Sequence, residues 1–344
     1  MEWFLIERNK YERLYNCSFY DYQRIPVEQR QHKFLGLVII VSYALFMTCY
    51  VPCLYAMMAS EHRRKASYRL MFLLGVIHVL DLQFCGLETG ILAIVGAAYC
   101  EHPILIYVSG SIAVACWCAS TMTSMLLGIN RCCELFSSHL ANLIFGSWRI
   151  GFWILLPIIY FVFISGYTPP GIFYGVQLAW FFNPHVGYFE DTNGRYVNMP
   201  HTINNFVVCS TEFLIYITLI ALYIRATKSQ SGAMKTAMNR ERKIYIQIIL
   251  VGTIHFIAGF TYVLMQFFEV DFYATLVAST FYLLSQGAPG IIYLSMNRSI
   301  RNVLRAKMGL KKEFPSRVRG LAANSTTRHQ NSQFKETTIS SDAH

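Results

Sequence analysis

Seven apolar stretches, each close to the roughly twenty residues a bilayer-crossing helix needs, lie at 35–58, 70–96, 103–130, 150–167, 203–224, 244–268 and 272–296, with more polar connections between them. They hold three acids, Asp81, Glu88 and Glu212, and no Lys or Arg. The pattern predicts an all-α membrane protein, a seven-transmembrane helix bundle. Beyond the last stretch, Ile300, Val303, Leu304 and Met308 recur at helical spacing opposite Arg298, Arg301, Arg305 and Lys307. A short amphipathic helix on the inner leaflet is expected over 297–309, with a basic juxtamembrane stretch lacking fixed structure as the alternative. Residues 1–34 read as an extracellular N-terminal segment and 310–344 as a polar, disordered cytoplasmic tail, with Ser325, Thr326 and Thr337 as phosphorylation candidates.

Composition agrees with the pattern. The 344 residues are 54% hydrophobic and only 14% charged, which excludes an ordinary soluble domain. A net charge of +10 raises nucleic-acid binding as a possibility, but the basic residues lie in short runs between apolar segments. With the N-terminus outside, the inner loops carry twelve Lys and Arg and the outer loops only Arg195. The positive-inside rule therefore puts the N-terminus outside, against the weaker contrary signal of six basic residues before the first span. The first thirty residues are polar, so no cleavable signal is expected and the first span reads as the signal anchor. No internal repeat is visible, which argues against inverted-repeat transporters.

The third span ends Asn130-Arg131-Cys132-Cys133-Glu134, leaving one arginine at the membrane boundary. A snorkelling anchor would look the same. The chain also carries, in order, Tyr15-Asn16-Cys17-Ser18, Tyr50-Val51-Pro52-Cys53-Leu54, Phe72-Leu73-Leu74-Gly75, Gly96-Ala97-Ala98-Tyr99-Cys100, Trp117-Cys118, Asn130-Arg131-Cys132, Glu241-Arg242-Lys243 and Gly287-Ala288-Pro289-Gly290-Ile291-Ile292-Tyr293. This series resembles the class T nematode serpentine chemoreceptors (Srt), a family of seven-transmembrane G-protein-coupled receptors. The resemblance implies a receptor fold in the plasma membrane, a small-molecule chemical ligand and coupling to a heterotrimeric G protein through Asn130, Arg131, Arg242 and Lys243. It also implies switch roles for Asp81, Pro289 and Tyr293. Three features depart from the wider rhodopsin-like pattern. Asn130 stands where an acid usually precedes the arginine, the sixth span has no proline, and Pro289 and Tyr293 are spaced one residue further apart than usual.

Charges at bilayer depth are costly, so Asp81, Glu88 and Glu212, with His78 and His255, should face the bundle interior. Asp81 is expected either to hold a cation, to bridge to the seventh helix, or to sit as a neutral core carboxyl. Gly86-x-x-x-Gly90 should serve packing within the bundle rather than dimerisation. Counting outward from Arg131 at about 1.5 Å per residue puts Thr121, Trp117, Val114 and Gly110 progressively higher in the outer half, with Trp117 as floor and Val114 as wall of a ligand cavity. Glu212, Tyr262, Gln266, Tyr282 and Gln286 should face them. Singly, each of these also suits core packing; the cluster carries the expectation. The outer loop over 168–200 is dense in aromatics, with Phe173, Tyr174, Trp180, Phe181, Phe182, Tyr188 and Phe189, and reads as a lid over an apolar or amphiphilic ligand.

Hydrolase, phosphate-loop and zinc motifs are missing, and Cys116 and Cys118 point apart on a helix, so neither catalysis, a metal nor a cofactor is expected. Membrane lipid is the expected surround, and a seven-span ligand-gated channel or transporter is the alternative function. Rhodopsin-like receptors tie the top of the third helix to the following outer loop, yet that loop has no cysteine. Cys17 is the remaining clearly external candidate for Cys100, with free thiols or a Cys100–Cys209 bond as alternatives. Asn16-Cys17-Ser18 is a glycosylation sequon that only an external N-terminus would expose.

Overall fold

A computed structural model describes residues 1–309 apart from 19, 230–232, 266–267 and 269–270. The expected tail with Ser325, Thr326 and Thr337, and Gln266 from the expected cavity wall, lie outside the described residues. Seven long helices are present: Lys33–Met57, Ala66–Val95, Pro103–Phe136, Arg149–Tyr167, Met199–Ser229, Ala233–Leu264 and Phe272–Met296. The first six are long and apolar enough to cross a membrane by length and composition alone. The seventh is as long but buries Ser285, Gln286, Gly287, Pro289 and Gly290. These positions face protein rather than lipid, which lets a less apolar helix span.

The third helix is the axis of the bundle. Its most apolar window is 72% buried, against 17% for the first and fourth helices, which turn broad faces outward. Small residues such as Ala113, Ala115, Ala119 and Gly128 let neighbours come close to it. The first and second helices cross at Gly90, where an added methyl would strike Ile40 and the Gly36 backbone. Gly86 likewise faces Tyr43. The Gly86–Gly90 pair therefore packs inside the bundle, as the spacing suggested.

The second helix is not uniform. Residues Gln83–Glu88 wind as a π-helix, an irregularity that clusters at functional sites and that hydropathy does not register. The fifth helix begins four residues before the apolar run does, at Met199, because Asn198 caps it: its Oδ1 accepts from His201 N at 3.0 Å. A short helix, Ser138–Phe145, follows the third, capped by Ser137. At the inner end, Asn297 Oδ1 accepts from the amides of Ser299 and Ile300 and starts the helix Arg298–Lys307, which carries the expected alternation of apolar and basic residues.

Candidate functional site

The outer loop turns inward as a β-hairpin, β1 (Ile172–Tyr174) pairing antiparallel with β2 (Ala179–Phe181). Its tip is held against the bundle. Thr275 Oγ1 donates to Gln177 O at 3.1 Å and Ser279 Oγ to Leu178 O at 3.3 Å, both from the seventh helix. Leu178 takes a left-handed conformation, φ 50°, and is fully buried. Trp180 Nε1 donates to Thr89 Oγ1 at 2.9 Å on the second helix. Gly110 on the third helix lacks a side chain where the Gly171 carbonyl comes to rest, and any Cβ there would collide with it.

The N-terminal segment lies over the hairpin. Tyr11, Leu14 and Tyr15 form one buried cluster with Tyr99, Tyr107, Ile172, Phe173 and Leu178. A disulfide joins Cys17 to Cys100, with Cα atoms 5.7 Å apart, across 83 residues of chain. His185 clamps the segment from the far side, its Nε2 3.0 Å from Leu14 O and its Nδ1 3.0 Å from the Tyr20 hydroxyl. Tyr196 also donates to Leu14 O, at 2.6 Å.

Beneath this cap is a cavity of about 80 Å³. The second and third helices supply Cys85, Gly110, Ala113, Val114 and Trp117. The loop supplies Gly171, Trp180 and Phe182, and His201, Tyr262 and Tyr282 come from the fifth, sixth and seventh helices. The Trp117 ring meets Tyr282 edge to face at 5.6 Å, and its Nε1 donates to Asn205 Oδ1 at 2.8 Å.

A column of buried polar groups continues inward from this floor. The Tyr282 hydroxyl donates to Asp81, 2.8 Å from each carboxylate oxygen. Tyr50 and His78 share a 2.9 Å hydrogen bond, the rings of His78 and His255 are 5.4 Å apart, and His255 Nδ1 lies 4.0 Å from Glu212 Oε1. Tyr50 in turn meets Tyr293, centroids 6.2 Å apart. At the inner end Arg131 Nη1 donates to Glu134 Oε2 at 2.8 Å, while Arg242 and Lys243 are exposed at the start of the membrane part of the sixth helix.

A sequence model of the family described as the serpentine type 7TM GPCR chemoreceptor Srt matches residues 1–316. The chain belongs to that family. It is 24% identical over 234 residues to serpentine receptor class T-55 of Caenorhabditis elegans, a match covering 68% of this chain and 63% of that receptor. The chain thus spans somewhat under two thirds of that relative's length. As a member of this family with several apolar helices, it is a multi-pass protein of the plasma membrane.

Against this Srt framework, five of the nine residues expected around a ligand, Gly110, Val114, Trp117, Tyr262 and Tyr282, line the one cavity. Three others lie away from it. Thr121 sits a turn below Trp117 with its hydroxyl bonded to the Trp117 and Cys118 carbonyls, Glu212 neighbours His255, and Gln286 donates to Ser285. Asp81 meets the seventh helix through Tyr282. Pro289 and Tyr293 are buried in the seventh helix, and Asn130 is buried beside Arg131. Asn16 is exposed, its Oδ1 accepting from Ser18 N at 2.8 Å. Sequence reasoning missed four wall residues, Cys85, Ala113, Gly171 and His201. His201 precedes the apolar run, and only the Asn198 cap reveals that the helix already includes it. Cys85 was missed because the π-segment changes which positions face inward.

Proposed function

We propose that this chain is a chemosensory receptor that binds a small molecule in the outer cavity and signals to a heterotrimeric G protein. The observation that carries the reading is the cavity itself, bordered by the outer-loop hairpin and walled by five of the seven helices, with a floor of Trp117 and of Tyr282, which is bonded onward to Asp81. Binding there would bias the relative positions of the second, third and seventh helices, a two-state shift read at the inner face. Asn130, Arg131, Arg242 and Lys243 would then meet the G protein, and Asp81, Pro289 and Tyr293 would relay the change. Residues 1–34 would form the external cap, 297–309 a helix at the inner leaflet and 310–344 a cytoplasmic tail.

The test is a panel of small molecules applied to cells that report second messengers and membrane current together. A second-messenger response abolished by G-protein blockade is expected. Ligand-gated current that persists under that blockade, with no second-messenger response, would overturn the reading.

A further inference from the structure

If the outer cavity is the ligand site, its wall narrows the chemistry of what enters. Among the described residues no Asp, Glu, Lys or Arg lines it. Asp81, behind the wall, is faced by the Tyr282 hydroxyl. An ion entering would exchange its hydration for aromatic faces and small aliphatic groups without a counter-charge.

The neutral polar groups are mostly committed. Trp117 Nε1 donates to Asn205, Trp180 Nε1 to Thr89 and the Tyr282 hydroxyl to Asp81. The Tyr262 hydroxyl meets Ser279, and what remains is His201, whose ring lies edge to face with that of Tyr262, centroids 6.5 Å apart. His201 is only 9% exposed, and its Nδ1 is buried with no hydrogen-bond partner. A neutral imidazole presents one donor and one acceptor nitrogen, and leaving either unmatched in a dry site is destabilising. The space, about 80 Å³, is roughly half that of a cavity that takes benzene.

Resting on the receptor reading, we infer that the cavity takes a small uncharged molecule, on the order of three or four heavy atoms, with an apolar body and a single hydrogen-bonding group. A short alcohol or ketone has that chemistry. The His201 imidazole receives the polar group, and the body lies against Val114, Trp117 and Trp180.

The test compares propanol, propanone, propane, propanoate and propylammonium on the full chain, by thermal stabilisation of the purified protein and by second-messenger signalling in cells. Propanol and propanone are expected to stabilise and to signal, propane to be about tenfold weaker, as the loss of one hydrogen bond implies, and the two ions to do neither. His201→Phe, which keeps an aromatic ring, should bring propanol and propanone down to the potency of propane and leave propane unchanged. His201→Gln, which restores a donor and an acceptor, should recover the preference and guards against a folding defect. Stabilisation by either ion equal to that by propanol, unchanged propanol potency in His201→Phe, or no stabilisation by any neutral probe overturns the inference. Stabilisation in the expected order with no signal from any probe supports the cavity chemistry and counts instead against G-protein coupling.

Discussion

Tyr282 on the seventh helix holds its hydroxyl 2.8 Å from both carboxylate oxygens of Asp81 on the second, while its ring forms part of the cavity wall. One side chain thus touches the cavity and a fully buried acid at once. Tyr282→Phe removes the donor, and an unmatched buried acceptor costs about 1–3 kcal/mol. The variant should melt several degrees lower and respond weakly to ligand. Because the two groups act as a pair, Asp81→Asn combined with Tyr282→Phe should cost less than the sum of the single changes. Strictly additive losses in a thermal melt would show that the two residues act independently.

Arg131 pairs with Glu134 one turn further on, at 2.8 Å, in place of an acid before it. The pair is partly exposed, with side-chain exposures of 10% and 34%, and such pairs are worth about 0–1 kcal/mol. Arg131→Ala should therefore reach the cell surface in normal amount yet fail to couple. Glu134→Gln frees the guanidinium and should raise ligand-independent signalling. Normal coupling by surface-expressed Arg131→Ala would remove the main support for the proposed inner site.

The seven spans, the Gly86–Gly90 contact and the Cys17–Cys100 bridge were legible because each leaves a one-dimensional trace: an apolar run, a spacing, a cysteine with no nearer external partner. The cavity wall was half legible. Helical phase from Arg131 finds Gly110, Val114 and Trp117, all on one regular helix. The same counting fails for Cys85, across a π-segment, and for His201, where a cap side chain rather than hydropathy sets the helix start. Glu212 has the polarity of a ligand-binding group, but its neighbour is His255, a cross-helix relation that no spacing within one helix encodes.

The Cys17–Cys100 bridge closes a loop spanning 83 residues and pins the N-terminal cap. Disulfides typically contribute about 2–4 kcal/mol. Cys17→Ser and Cys100→Ser should each lower surface expression and melting temperature by similar amounts, and the double change should do no more than either alone. A larger loss from the double variant would mean that the two sulfurs contribute separately.

Asn16 is exposed on the cap, whereas Asn297 is buried at the inner end as a helix cap. Glycosidase treatment should shift the mass of the wild type and leave Asn16→Gln unshifted. Glycan on either of the chain's other sequons, Asn297-Arg298-Ser299 or Asn324-Ser325-Thr326, with none on Asn16 would invert the orientation.

The outer cap should also respond to acid through His185. Its Nε2 donates to Leu14 O and its Nδ1 accepts from Tyr20, an arrangement that the neutral ring with its proton on Nε2 satisfies. Burial lowers the His185 pKa below the ordinary value, offset in part by the bond to Leu14, and burial pushes Tyr20 up so that it stays a donor. When the cap is undocked, His185 returns to an ordinary value of about 6.5. Between the two values the undocked state binds more protons, so docking strengthens as pH rises through that window. The cap is therefore at full strength above about pH 6.5 and weakens as pH falls from there toward the lower docked value. Hydrogen exchange around Leu14 and Tyr15, corrected for the intrinsic rate, should show less protection near pH 5.5 than near pH 7.5, a span of about two units across the ordinary histidine value. His185→Gln keeps a neutral donor and acceptor, and its protection should be flat over the same range. Equal loss of protection in both proteins would assign the acid sensitivity to another group.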